Sequence, residues 1–179
     1  HMRLPEGHNR MIESVAEANP NTVVILLGGG PMELPWEKDV KGILYMGLPG
    51  QAAGEAAYHL LTGKAVPSGK LTETWPAAYE DIVSKETFGK KNVEYREGVY
   101  VGYRYYDSAG KAVRYPFGYG LSYTSFAYTD LEICWPKVSV TVTNTGAYRG
   151  AEAVQLYIGP EKGDFLPTDL KKSVKDTSC

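Results

Sequence analysis

Glu33, Glu55 and Glu97 stand where an acid could be put to work in this sequence. Proton transfer and nucleophilic attack on a polar substrate commonly need paired groups held in opposed protonation states. Glu33 follows an apolar run and Gly28-Gly29-Gly30-Pro31, the kind of place where sheet proteins present loops to a ligand. A site role is open to it, but as one acid on a loop it reads first as a solvated carboxylate. Glu55 lies near the start of an alanine-rich helical stripe, where a negative charge suits the helix dipole, so a stabilising or contact role comes before catalysis. Glu97 sits between Arg96 and Gly98 and suits an ion pair with Arg96 or Arg104 across an interface.

Other chemistries find less. Gly28-Gly29-Gly30 follows an apolar run, but G-x-G-x-x-G is missing and Pro31 interrupts a helix start. Gly47-Leu48-Pro49-Gly50 could offer backbone N–H groups to an anion; without a Walker lysine it reads as a turn that seats the next helix. No G-x-S-x-G occurs, and His8 and His59 have neither metal-ligand spacing nor a nearby cysteine partner. Cys134 and Cys179 are too few and too far apart for a metal cluster or a disulfide framework, so two free thiols are expected. Neither a metal nor a cofactor is expected. The net charge of −2 gives no reason to expect nucleic acid or an anionic membrane as partner, and no apolar run reaches the ~20 residues needed to span a bilayer.

The elements that would position these residues change character along the chain. Met11, Ile12, Val15 and Ala16 have helical spacing, ended by Pro20. Thr22–Leu27 is a β-branched run without alternation, as expected of a strand covered on both faces, and Gly42–Gly47 reads as a second. Between Ala52 and Leu61 alanines and leucines form a helical stripe able to pack close to a sheet, closed by Gly63. Leu71–Trp75 is a candidate third strand, and the order predicts a parallel sheet with crossover helices. Residues 77–92 read as a polar surface excursion. Beyond Ala127 the period changes to two: Leu131, Ile133 and Trp135, then Val138, Val140 and Val142, then Val154, Leu156 and Ile158 predict antiparallel strands of a β-sandwich. Such a sandwich needs about seven strands, more than this pattern supplies.

Between these regions, Tyr95–Phe126 holds eight of the fourteen tyrosines, interleaved with glycines. It predicts a connector whose rings are buried and whose hydroxyls are bonded across a junction. Ring stacking on a sugar is the alternative use. The wording of the strip, EGVYVGYRYYD (Glu97–Asp107) and RYPFGYGLSYTSF (Arg114–Phe126), resembles the glycoside hydrolase family 3 β-glucosidases. Three more blocks agree in order: Leu4–Trp36, Gly47–Pro76 and NTGAYRGAEAVQLYIG from Asn144 to Gly159.

The resemblance implies α/β plus β: a partial parallel α/β sandwich over residues 1–76, the connector over 77–126, and a partial fibronectin-type-III-like β-sandwich over 127–179. The tail from Gly163 to Cys179 departs from the family. The resemblance also implies a retaining β-glucosidase as parent, acting on a β-glucoside or oligosaccharide through an Asp nucleophile on a (β/α)8 barrel and an acid/base Glu. Neither motif matches a position here. No catalytic residue is therefore carried over, no substrate-binding residue is assigned, and inactivity is expected of the chain alone. The missing barrel is the expected partner, and self-association is expected through uncovered edges. The alternative is a non-catalytic carbohydrate-binding or scaffold module.

Overall fold

A computed structural model describes residues 2–134 and 136–157. The chain divides into two compact units, His1–Ala56 with Trp75–Arg96, and Ala57–Thr74 with Glu97–Cys179.

In the first unit, helix α1 spans Glu6–Ala18 and ends at Asn19, whose N–H still donates to Val15. Extended Asn19 and Pro20 stop it, as the spacing predicts. Its apolar stripe is only partly covered: Ala16 is buried, whereas Met11 and Val15 are exposed. Strands β1 (Val23–Leu26) and β2 (Gly42–Tyr45) pair in parallel, Val23 opposite Gly42 and Leu26 opposite Tyr45. The parallel sheet is as expected, but the chain from β1 to β2 crosses through loop and a 3-10 turn (Glu37–Asp39) rather than a helix. Nor is β1 covered on both faces. Val23 and Ile25, on one face, are 50% and 38% exposed, while Leu26 on the other is buried.

The core of this unit is aromatic. Trp36, Leu34 and Trp75 are almost wholly buried, and the Tyr45 ring meets Trp75 edge-on at 5.0 Å. The Trp36 indole N–H donates to Asn9 Oδ1 at 3.0 Å, tying α1 to the loop after β1. Only Trp75–Pro76 is extended in the segment expected to be a third strand, forming the two-residue β3. Ser68–Gly69 and the alternating polar residues Thr72 and Thr74 leave that run without the apolar density of β1. Two short 3-10 turns, Tyr79–Asp81 and Val83–Glu86, lie within the polar excursion.

Helix α2 spans Ala53–Leu61, with Glu55 in its first turn and none of its residues buried. The expected close packing of its alanines is therefore not made among the described residues. It closes at Gly63, φ +73°, with the Ala65 N–H reaching back to the His59 carbonyl.

In the second unit the tyrosine strip carries an element that the pattern did not predict. Helix α3 spans Tyr103–Ser108 and starts from Gly102 at φ +58°, burying Tyr106. A short strand, β4, covers Val113–Tyr115. Strands β5 (Phe126–Cys134) and β6 (Lys137–Asn144) form an antiparallel hairpin, with Phe126 opposite Asn144 and Cys134 opposite Lys137. The register shifts between Thr129 and Glu132, where Asp130 takes φ +55°. Such a bulge bends a strand and sharpens its twist.

Two expectations fail here. Val154 and Leu156 are not in a strand among the described residues and both are exposed; a strand needs a partner edge, and the alternation alone does not provide one. Cys134 is disulfide-bonded, not a free thiol; a count of cysteines and their spacing does not determine whether a thiol is oxidised. Trp135, Ile158 and Cys179 lie outside the described residues.

Candidate functional site

The loops after β1 and β2 meet at the C-terminal ends of the parallel pair. The Gly28 N–H donates to the Gly47 carbonyl at 2.9 Å, and the Tyr45 hydroxyl donates to the Gly28 carbonyl at 2.8 Å. A Cβ at Gly28 would stand 2.0 Å from Met32 Cε, the end of a flexible side chain that can swing aside. Gly47 and Gly50 are needed for conformation instead, at φ +60° and +69°, values that L side chains resist. The Gly47–Gly50 turn thus seats one loop against the other.

Glu33 is placed at this edge and is not a solvated carboxylate. Its Oε1 accepts from the Tyr79 N–H at 2.9 Å and its Oε2 from Arg3 Nε at 3.3 Å. Its own N–H donates to the Met2 carbonyl. Its side chain is 22% exposed. The Arg3 guanidinium also reaches Glu80 at 3.5 Å, so one cation bridges two acids. That arrangement ties residues 2–4, the loop after β1 and the 3-10 turn at Tyr79 into one corner. It is a structural staple, with each oxygen of Glu33 already engaged.

Arg96 pairs with Glu94, not with Glu97, and the Arg104 guanidinium lies 6.0 Å from the Tyr103 ring. His59 leans on Tyr58, whose ring also carries Lys64 Nζ at 4.5 Å. Among the described residues no group of three or more His, Cys, Asp or Glu is placed to hold a metal, and no helix is long and apolar enough to cross a membrane.

A second constellation, in the other unit, escaped the sequence reading. Lys70 Nζ donates to the Gly120 carbonyl at 2.7 Å and faces Glu152 Oε1 at 3.4 Å, both side chains mostly buried. Leu71 N–H donates to Tyr119 O, and Gly118 N–H to Leu71 O, each at 2.8 Å. The Tyr115 and Tyr119 rings stack at 4.9 Å, and the Tyr123 hydroxyl donates to Leu60 O at 3.0 Å. Tyr103 packs on Phe117 at 5.1 Å and edge-on against Tyr157 at 5.6 Å. Burial, then the fields of Tyr103 and Asp107, raises the Tyr157 hydroxyl above the usual tyrosine range. Residues 57–74 thus engage the Tyr123 hydroxyl and residues 150–157 the Tyr103 ring, whereas Tyr95 is exposed. A lysine and a glutamate far apart in sequence carry no local mark of such a pairing.

The model for the glycosyl hydrolase family 3 C-terminal domain matches residues 1–123. The chain belongs to this family. Thermostable beta-glucosidase B of Acetivibrio thermocellus is 44% identical over 185 residues, covering 98% of this chain and 23% of that protein. An exo-alpha-(1->6)-L-arabinopyranosidase of Bifidobacterium longum is 43% identical over 169 residues, covering 90% of this chain and 22% of that protein. The crystal structure of a Kluyveromyces marxianus beta-glucosidase in complex with glucose superposes with a TM-score of 0.75 at 38% identity, over 82% of this chain and 18% of that one. This family 3 chain therefore spans about a quarter or less of the length of these relatives. Its architecture is α/β plus β, as the family resemblance implied.

Proposed function

We propose that this chain is the non-catalytic part of a retaining β-glucosidase-type hydrolase that removes terminal β-linked glucose or a related sugar. The observation that carries the reading is the family match joined to its limited span, 23% of the beta-glucosidase it resembles. Retaining hydrolysis needs two carboxyl groups about 5–5.5 Å apart, one attacking and one exchanging protons. Glu33, the most suggestive acid, is tied by Arg3 and the Tyr79 amide into a structural corner. The nucleophile and the acid/base belong to the barrel and loop expected elsewhere in the parent. Uncovered Val23 and Ile25 on β1 fit a surface made to be covered by further polypeptide. The third region is read as the start of a fibronectin-type-III-like module, joined through the tyrosine strip.

The sugar is left at the level of a β-linked glucoside or close relative, since one similar protein is a beta-glucosidase and another an arabinopyranosidase. The test is turnover of an aryl β-glucoside by the chain alone and by the chain mixed with a separately expressed barrel domain of the same parent. No release by the chain alone and release by the mixture are expected. Release by the chain alone would overturn the assignment. A parent polypeptide without a barrel would favour the scaffold reading.

A further inference from the structure

We propose that residues 146–157 form a strap docked on the tyrosine strip and latched by Lys70 and Glu152, able to undock without unfolding the rest of the chain. Residues 145–157 lie in neither helix nor strand, and Val154 and Leu156 are 52% and 61% exposed. Burial of apolar surface therefore does little to hold this segment. Specific contacts hold it instead.

The contacts run along its length. A Cβ on Gly146 would meet Thr124 Oγ1 at 2.3 Å, and one on Gly150 would meet Thr124 Cγ2 at 2.9 Å. These two glycines bring the strap down onto Thr124 with no room for a side chain. The Ala151 N–H donates to Ser68 Oγ at 3.2 Å. One residue on, Glu152 meets Lys70, whose ammonium is already engaged by the Gly120 carbonyl. At the far end Tyr157 stands edge-on to Tyr103. Lys70, bonded to both Glu152 and the Gly120 carbonyl, joins three segments, 68–71, 118–120 and 150–152. The ion pair is mostly buried, so removing one partner leaves an uncompensated charge, whereas removing both leaves none. That asymmetry makes the pair a latch rather than an ordinary surface contact.

Arg149 is exposed within the strap, and Lys90 and Lys91 are exposed in the other unit, so trypsin reads both regions in one sample. Cleavage of a transiently opened segment follows the population of its open form. Lys70→Met and Glu152→Gln should each raise cleavage after Arg149 about tenfold or more relative to cleavage at Lys90 and Lys91. The double variant K70M/E152L should return it toward the unmodified rate. Ser68→Ala, which removes only the bond to Ala151, should raise it by a smaller factor and serves if Lys70→Met does not fold. An unchanged Arg149 rate in these variants would overturn the proposal. So would a rise that Lys90 and Lys91 share, because the opening would then be global.

Discussion

Glu33 commits one oxygen to a backbone amide and the other to a guanidinium, and the two bonds are not equal. The Arg3 side chain is 69% exposed, and an ion pair so wet contributes about 0–1 kcal/mol. The Tyr79 N–H is part of a half-buried corner, and leaving such a donor without an acceptor costs about 1–3 kcal/mol. Glu33→Ala should therefore destabilise the chain clearly more than Arg3→Ala in urea titrations; equal losses would mean that the ion pair, not the amide, carries the corner. Glu73 makes a different case. Desolvation by neighbouring protein raises its carboxyl above 4.5, even though the residue is at the surface. The folded state then holds its proton more tightly than the unfolded state. Its ionisation opposes folding, so this penalty is absent below the unfolded value and grows in as pH rises through the raised one. Glu73→Gln should leave stability unchanged at pH 3.5 and raise it at pH 7. A gain equal at both pH values would assign the effect to something other than this titration.

Elements were legible where the chain is locally consistent. Val23–Leu26 and Gly42–Tyr45 are β-branched and apolar, so the parallel pair could be read directly, and Asn19-Pro20 and Gly63 marked two helix ends. Helix α3 was not legible: YRYYDS is built of weak helix formers, and what starts it is the left-handed Gly102 and packing of Tyr106. Of the expected strands, Leu71–Thr74 begins a pairing, with Leu71 bonded to Gly118 and Tyr119, but Thr72 and Thr74 lie in no strand, and the run beginning at Val154 lies in none among the described residues. Such pairing is not encoded by a single segment. At the candidate site, the loop position of Glu33 was readable, but its pairing with Tyr79 and Arg3 was not, since both partners come from distant segments. Glycines separate the two kinds of constraint. Gly28→Ala should cost less than Gly118→Ala, because its Cβ meets only Met32 Cε and Sδ on a flexible side chain that can move, and Met32→Ala should relieve most of what loss remains. Gly118 combines crowding by Gln155, at 2.6 Å, with φ +79°. Gln155→Ala should relieve only part of the Gly118→Ala loss, leaving about 1–2 kcal/mol of backbone strain. Double-mutant cycles measure both, and full rescue at Gly118 would remove the conformational argument.

At the scale of the whole molecule, the sequence and the surface disagree over cover. Thr22–Leu27 has the continuous apolar character of a strand buried on both sides, yet Val23 and Ile25 face outward. Val23 stands opposite Gly42, which offers no side chain to shield it. Leu27 and, on α1, Met11 and Val15 are exposed as well. In isolation these surfaces, together with the edges of the β5–β6 hairpin, which no further strand pairs among the described residues, should recruit other copies. Light scattering should therefore show mass rising with concentration. Val23→Lys with Ile25→Lys should shift that rise to higher concentration, because charge on β1 opposes face-to-face association. Both side chains already contact solvent, so the fold should survive the change with a cost on the order of 1 kcal/mol. A monodisperse monomer across the whole range would defeat the expectation outright. Association undiminished by the two lysines would move its origin away from β1, to the hairpin edges.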